Sequence, residues 1–231
     1  MNTHITRRDF CRFLSHSFCS AGLLELVTPE SSRAEEKLSH KEVSYYKKLP
    51  DLKIQCQICP KECEIADLER GYCGNKENRK GTYYSLVYAQ ACAAHIDPIE
   101  KKPLFHYLPS TPAFSIAAAG CNFECKFCQN WRIAQYRPEQ VESFSLPPSE
   151  LVSMAKQKAC PTIAFTYTEP VVYYEYMYDT AQHARTRGVG SEMISNGYIR
   201  DEPLIKLCKQ LNGVKIHLKS FTYKLYKEYF R

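Results

Sequence analysis

The sequence predicts an α/β fold, in which a partial (β/α) barrel follows a cysteine-rich N-terminal extension. Two observations lead to this prediction. After residue 110, apolar runs of strand type alternate with helical patterns, which is typical of βαβ units around a parallel sheet. Seven of the 12 cysteines fall into two short groups, one before and one after the first of these strands.

The composition describes a globular chain. Hydrophobic residues make up 44% and charged residues 24% of the 231 positions, and no segment is long and apolar enough to span a membrane. The net charge of +6 comes from scattered basic residues, so nucleic-acid binding is not predicted. The close spacing of most cysteines suits metal ligation better than disulfides, whereas Cys160 and Cys208 stand alone and are predicted to lie in the core.

Residues 1–40 are predicted to be a leader and linker. The stretch from Thr6 to Cys11 resembles a twin-arginine export signal, and a weakly apolar run from Phe18 to Val27 follows it. Residues 32–34 offer a small-x-small cleavage pattern. The alternative is a disordered leader with a chance arginine pair. A cytoplasmic location and export of the folded protein by the twin-arginine route therefore both stay open.

Residues 41–110 are predicted to form a cysteine-rich module with a metal site of its own. Cys56, Cys59, Cys63 and Cys73 have the spacing C-x2-C-x3-C-x9-C. Four thiolates close a tetrahedral zinc site or saturate an iron–sulfur cubane, and the spacing does not decide between zinc and a second cluster. Reduced cysteines without a metal are the alternative.

Residues 111–231 carry the α/β pattern, and a further strand is predicted before them at 81–96. Helix starts are indicated by capping residues such as Thr168 followed by Pro170, and Gly188 indicates a helix end. The predicted strands are 113–119, 162–167, 190–195 and 214–219, and the predicted helices are 148–158, 170–187, 201–211 and 223–231. Because a complete (β/α)6 or (β/α)8 barrel needs more than four strands, the sequence is expected to be truncated at its C-terminus.

A second group, Cys121, Cys125 and Cys128, has the spacing C-x3-C-x2-C and follows a strand that ends in Gly120. Four thiolates saturate a [4Fe–4S] cubane, so three leave one iron open to another ligand. A structural zinc would need a fourth ligand nearby, but no Cys or His lies between Cys128 and Cys160. The triplet therefore predicts a cluster with an open iron.

At this point the chain resembles the radical S-adenosylmethionine (SAM) enzymes, whose signature is this spacing with an aromatic residue, here Phe127, before the last cysteine. The combination of CQICPKEC, EKKPLFHY, GCNFECKFCQN, TEP, SNG and LK resembles the radical SAM enzyme of the AmmeMemoRadiSam system, which is related to the activating enzymes of pyruvate formate-lyase. The resemblance implies a [4Fe–4S] cluster on Cys121, Cys125 and Cys128, with SAM on the fourth iron.

The same resemblance implies SAM contacts for Glu169, Asn196 and Lys219. Each has an alternative role, as a helix-terminal charge, a turn residue and a solvated strand end respectively. Two departures affect the assignment: Thr168 replaces the usual Gly before the glutamate, and His217 replaces the Asp of a DLK-like motif. His106 is a further candidate for facing the site, although an isolated histidine is more often structural.

The implied activity is reductive cleavage of SAM, which gives methionine and a 5′-deoxyadenosyl radical that abstracts hydrogen from a substrate. The implied partners are a flavodoxin- or ferredoxin-like one-electron reductant and a substrate that is either a protein or a small molecule. Two other classes stay open: a non-catalytic iron–sulfur electron carrier, which would have a saturated cluster, and a zinc-binding interaction module, which would contain no iron.

Overall fold

A computed structural model describes residues 38–230 as a mixed α/β protein. The predicted leader, including the motif that resembles an export signal, lies outside the described residues apart from positions 38–40. Within the described range, no helix has both the length and the apolar character needed to cross a membrane.

The strands are short and occur along the whole described chain. In order they are β1 Lys41–Glu42, β2 Tyr46–Lys48, β3 Ile54–Cys56, β4 Glu64–Ile65, β5 Lys76–Arg79, β6 Thr82–Ser85, β7 Gln90–Ala91, β8 Ala93–Pro98, β9 Pro112–Ala117, β10 Phe144–Ser145, β11 Thr162–Phe165, β12 Gly190–Ser195 and β13 Gly213–Ile216.

The helices fall mainly in the second half of the chain. The α-helices are α1 Trp131–Ala134, α2 Pro148–Gln157, α3 Tyr174–Thr186, α4 Asp201–Cys208 and α5 Tyr223–Leu225. Three 3-10 turns cover Ile99–Lys101, Pro138–Gln140 and Pro170–Tyr173, and a π-helical turn covers Tyr226–Phe230.

The largest sheet has five strands in the order β13-β12-β11-β9-β8. Strands β9, β11, β12 and β13 are parallel, and β8 pairs antiparallel with β9 along its whole length. The carboxyl ends of four successive parallel strands therefore lie along one edge of this sheet, where α/β proteins place their ligands. Three smaller antiparallel arrangements, β1-β6-β5, β2-β3-β4 and β10-β7, lie outside it.

Both faces of the five-stranded sheet are covered at its central strands β9, β11 and β12, whereas no residue of β13 is buried. The main core packs Ile116, Phe165 and Met193 against the buried sides of α2 and α3. On the opposite face, Ala113, Ala164 and Ile194 pack with residues of the segment 99–107. Side chains alternate between the two faces along each strand, so the residues that follow each strand at its carboxyl end are positioned by two packed layers.

The four parallel strands and the helices between them agree with the sequence prediction, but several ends differ. Strand β11 stops at Phe165 because Tyr167 adopts a left-handed backbone with φ of 66°. The single strand predicted at 81–96 is divided into β6, β7 and β8, first by a turn that includes Ala89, with φ of 57°, and then by a bend at Cys92. Helix α4 ends at Cys208.

The two isolated cysteines have different surroundings. Cys160 is buried, as predicted. The prediction for Cys208 was wrong, because this side chain is exposed at the last residue of α4. The buried side of α4 is formed by Pro203 and Leu207 instead.

Candidate functional site

The loop that carries the cysteine triplet begins at Gly120, directly after β9. Gly120 has a φ of 108°, and a Cβ there would lie 2.8 Å from Nδ2 of Asn75 and 3.0 Å from the carbonyl oxygen of Cys73. Nδ2 of Asn75 also donates a hydrogen bond of 2.8 Å to the carbonyl oxygen of Ala119. Glycine is required here both for its backbone conformation and for the close approach of the cysteine-rich module.

All six residues predicted for the cluster and SAM line one cavity of about 390 Å³. The thiols of the triplet are on the loop after β9, and Glu169, Asn196 and Lys219 follow β11, β12 and β13. The parallel sheet thus brings together residues that are almost 100 positions apart in the sequence. The six are Cys121, Cys125, Cys128, Glu169, Asn196 and Lys219.

Glu169 is buried and is held by three hydrogen bonds. Its Oε1 accepts from the backbone N–H of Val171 at 3.1 Å and from the hydroxyl of Ser195 at 2.6 Å. Its Oε2 accepts from the backbone N–H of Asn196 at 2.8 Å. Burial raises the pKa of Glu169, and the hydrogen bonds from Asn196, Ser195 and Val171 oppose that rise. The carboxylate therefore fixes the end of β12 against the turn that follows β11.

Asn196 connects this carboxylate to the cysteine loop. Its Nδ2 donates to Oδ1 of Asn122 at 2.8 Å, and its Oδ1 accepts from the backbone N–H of Tyr198 at 2.9 Å. Asn122, which directly follows Cys121, donates in turn to the carbonyl oxygen of Tyr198 at 3.0 Å. Both ends of the Asn196 side chain thus have protein partners, and their effect is to position the loop.

Lys219 and His217 extend from the end of β13 toward the same cavity. Burial raises the pKa of Cys125, and the positive charge of Lys219 opposes that rise. The pKa of His217 is lowered by burial and then by Lys219 and Lys215, so the imidazole is neutral near pH 7. Its Nε2 is buried and has no hydrogen-bond partner among the described residues. It is therefore available to a ligand.

A group of charged residues at the far side of the cavity was not predicted from the sequence. Lys102 is buried, and its Nζ lies 2.6 Å from Oδ2 of Asp97, while Lys101 binds the other oxygen of Asp97 at 2.6 Å. The hydroxyl of Tyr167 also donates to Asp97. Despite burial, these partners hold the pKa of Asp97 well below its usual range. Both lysines line the cavity, which is therefore cationic on this side.

His106, from the same EKKPLFHY segment as these lysines, does not face the cavity. Its side chain is exposed and is not among the residues that line the cavity. Lys101 and Lys102 contact the cavity instead. In the sequence, only the position of these lysines within the EKKPLFHY motif indicated that they contact the cavity. A pair of adjacent lysines usually lies at the surface.

The triplet fits the demands of an iron–sulfur cluster. Burial, and next the negative charge of Glu169, raise the pKa of the Cys121 thiol to about 12, so this thiol keeps its proton at neutral pH until a metal displaces it. Three thiols from one loop converge on a cavity with room for a ligand beside them, and thiolates are the ligands that such clusters take. Within residues 38–230, no three His, Cys, Asp or Glu side chains are gathered as closely as a single metal ion would hold them. A cubane spaces its thiolates more widely than one ion does.

The other cysteine group lines a separate and much smaller cavity. Cys56, Cys59, Cys63 and Cys73 surround about 20 Å³. Cys56 ends β3, its backbone N–H donates to the carbonyl oxygen of Cys63 at 3.0 Å, and Gly74 closes a turn beside Cys73. Burial raises the pKa of Cys56 to about 12. The structure thus brings together these four predicted residues as well.

Sequence reasoning missed two other polar residues that organise the site. Asn122 and Ser195 are both buried and both belong to the network around Glu169. Each stands next to a residue that was singled out, Cys121 and Asn196 respectively. Their position next to these residues was the only feature of the sequence that could have indicated a role in the site.

Comparisons with known proteins identify the family to which the chain belongs. The family model for the Radical SAM superfamily matches residues 115–231 of this chain. The chain is 47% identical over 184 residues to the uncharacterized protein MJ0808 of Methanocaldococcus jannaschii, which covers 80% of this chain and 55% of that protein. It is 32% identical over 122 residues to the uncharacterized protein MJ0674 of the same organism, which covers 48% of this chain and 31% of that protein.

The chain therefore spans about half the length of MJ0808 and less of MJ0674. The superfamily match begins within β9 and includes the cysteine triplet and the residues that follow β11, β12 and β13, which line most of the cavity. The chain belongs to the radical SAM superfamily, whose cofactors are a [4Fe–4S] cluster and SAM.

Proposed function

We propose that this protein is a radical SAM enzyme whose Cys121, Cys125 and Cys128 hold the [4Fe–4S] cluster and whose adjoining cavity binds SAM. When bound, the reduced cluster supplies the electron that cleaves SAM to methionine and a 5′-deoxyadenosyl radical, which abstracts hydrogen from the substrate. The observation that supports the proposal most directly is the single cavity of about 390 Å³ shared by the three thiols and the residues after β11, β12 and β13.

Different residues of the cavity would bind different groups of SAM. Lys219 offers a positive charge to the methionine carboxylate, and Glu169 offers a negative charge to its amino group. Neutral His217 is able to exchange a hydrogen bond with a polar group of the nucleoside through its unpartnered Nε2. Asn196 lines the cavity and would contact SAM, and Asn122 acts as a positioning residue, because the two side chains bind each other across the loop. Apolar Phe123 and Ile194 line the cavity and exclude water from part of it.

The finer assignments are proposals as well. Because of the motifs given above, we propose that the chain is related to the radical SAM enzyme of the AmmeMemoRadiSam system and to the activating enzymes of pyruvate formate-lyase. The fold would be a partial radical SAM barrel at 111–231 behind a cysteine-rich module at 41–110. The substrate would be a residue of a partner protein or a small molecule, and a flavodoxin- or ferredoxin-like protein would supply the electron.

An iron–sulfur electron carrier is the second candidate function, and one observation favours it. The unpartnered Nε2 of His217 lines the same cavity as the triplet. A histidine in that position is able to complete a closed cluster. Such a cluster would leave no open iron for SAM.

Anaerobic reconstitution of the full chain with iron and sulfide tests both candidates. The SAM enzyme should show an EPR signal of the reduced cluster that changes when SAM is added, and it should release 5′-deoxyadenosine. The carrier should show a signal that SAM does not change. Cys125→Ala should lose 5′-deoxyadenosine formation, and Cys208→Ala, at an exposed cysteine outside both groups, should retain it. Undiminished formation by Cys125→Ala would contradict the proposal.

A further inference from the structure

We propose that Lys101 and Lys102 form a subsite for an anionic group of the substrate, either a carboxylate or a phosphate. Both lysines line the cavity that the cysteine triplet also lines. The subsite depends on the proposed function, because this is the cavity in which SAM would be cleaved. Three features support it: the way the donors are gathered, the positive charge that they leave uncompensated, and the backbone of Tyr167.

One buried carboxylate, Asp97 of β8, gathers three donors at the wall of the cavity. Its Oδ1 lies 2.6 Å from Nζ of Lys101, and its Oδ2 lies 2.6 Å from Nζ of Lys102. The hydroxyl of Tyr167 also donates to Oδ2. All three donors line the cavity. Asp97 thus holds together groups from two segments, the 3-10 turn after β8 and the turn after β11.

This group of side chains has one positive charge in excess. Two ammonium groups share one carboxylate, and within residues 38–230 neither lysine has another ion pair. Glu192 adds no negative charge at neutral pH, because burial raises its pKa to about 8. Lys102 is 2% exposed, and an excess charge is costly where little water reaches it. An anion that entered the cavity would supply the missing negative charge.

The ammonium of Lys102 also has donors that the described chain does not use. It has three N–H groups. One donates to Asp97, and Nζ lies 4.7 Å above the centre of the Tyr167 ring. No second acceptor within residues 38–230 is hydrogen-bonded to it. Carboxylate and phosphate oxygens accept short charge-assisted hydrogen bonds from such groups, whereas an apolar substrate would leave them unpaired.

The backbone of Tyr167 indicates that the wall is built for a ligand. Its φ of 66° is left-handed, a conformation that a tyrosine rarely adopts. The residue is held there at both ends, because Nδ2 of Asn130 donates to its carbonyl oxygen at 2.7 Å and its hydroxyl is bound to Asp97. Strained backbone of this kind is concentrated at ligand-binding sites. Here it places the tyrosine beside the two lysines.

A separate cation in the cavity distinguishes this subsite from the SAM site. SAM has a single carboxylate, for which we propose Lys219 after β13. Lys101 and Lys102 belong to a different segment, before β9. With the SAM carboxylate bound to Lys219, an anion at the lysine pair has to come from the substrate.

Anion binding to the reconstituted full chain tests the subsite. With SAM present, calorimetric titration should show binding of inorganic phosphate or of acetate, and the tighter of the two probes indicates which group the substrate carries. Lys101→Gln and Lys102→Met should each weaken that binding by about tenfold or more, because each removes a charge-assisted hydrogen bond. Lys158→Gln, at an exposed lysine that ends α2, should bind the anion as the wild type does.

Several outcomes would overturn the subsite. They are binding of neither anion, equal anion affinity of Lys101→Gln and Lys158→Gln, and displacement of the anion by SAM. Because the Lys101 side chain is 60% exposed, Lys101→Gln covers the case in which Lys102→Met does not fold.

The EPR signal of the reduced cluster distinguishes failure of the subsite from failure of the proposed function. A wild type whose signal does not change with SAM would contradict the proposed function, whatever the anions do. A wild type that responds to SAM and binds neither anion would overturn the subsite alone. Loss of the SAM effect in Lys101→Gln would assign the lysines to SAM and would also overturn the subsite.

Discussion

The buried carboxylate of Glu169 is the residue through which most of the candidate site is connected. Its oxygens accept hydrogen bonds from the turn after β11 and from two residues at the end of β12. Asn196 continues the connection to Asn122 and hence to the residue after Cys121. A side chain predicted to touch SAM thus also has a structural role.

Ser195→Ala tests that structural role at the scale of one residue. The substitution removes the 2.6 Å hydrogen bond to Oε1 of Glu169 and leaves the buried carboxylate with fewer donors, which costs about 1–3 kcal/mol. The free energy of unfolding, measured with urea, should decrease by that amount. Ser149→Ala, at an exposed serine of α2, should leave it nearly unchanged. Equal effects of the two substitutions would contradict the role assigned to Ser195.

Strand β12 places an apolar and an acidic side chain next to each other, and both are buried. Met193 packs into the main core, while the neighbouring Glu192 is fully buried with neither carboxylate oxygen hydrogen-bonded among the described residues. Burial raises the pKa of Glu192 to about 8, and the positive charge of Lys102 only partly opposes that rise. At neutral pH this strand therefore carries a protonated glutamate.

The pH dependence of stability follows from that raised pKa. In the unfolded chain a glutamate ionises near pH 4.3, so between about pH 4.3 and 8 the folded state binds one more proton than the unfolded state. Stability should decrease through this interval by about 1.4 kcal/mol per pH unit. Glu192→Gln should remove this decrease, so its advantage over the wild type should grow from pH 5 to 8. Parallel profiles of unfolding free energy for the two proteins would contradict this.

The elements that were predictable follow from local sequence patterns, whereas those that were not depend on contacts between distant residues. Helices α2 and α3 and the parallel strands follow from apolar periodicity, because each has a face that must be buried. The early end of β11 depends on the left-handed Tyr167, whose carbonyl oxygen is bound by Nδ2 of Asn130 at 2.7 Å. A tyrosine gives no local signal for that conformation. The candidate ligands were predictable from their spacing, but burial of Lys102 depends on Asp97 and Tyr167, which come together only in the fold.

At the scale of the whole molecule, the edge of the five-stranded sheet at β13 is apolar and uncovered within the described chain. Val214 and Ile216 on this strand are exposed, and the segment after it exposes Leu218 and Phe221, the latter at 94%. An apolar strand at a sheet edge is a template for pairing with another chain. We expect the protein to associate with itself as its concentration increases.

Val214→Lys combined with Leu218→Lys tests this expectation. Two charges on the edge should shift the protein toward the monomer, because pairing would then bring like charges together and bury them. Sedimentation velocity over a range of concentrations measures the change. Gln157→Lys, at an exposed position of α2, adds charge elsewhere and should leave association as it is. Undiminished association of the double variant would exclude this edge as its cause.

The contact between Gly120 and the turn at Cys73 and Asn75 also limits which N-terminal modules could be joined to the five-stranded sheet in a chimeric protein. Any side chain at position 120 would meet Asn75 and the Cys73 backbone, and the hydrogen bond from Asn75 to Ala119 requires a donor at that place. A chimera that joined residues 111–230 to a different N-terminal module would have to reproduce this turn. The two cysteine groups are therefore coupled through this contact, although each lies in its own part of the chain.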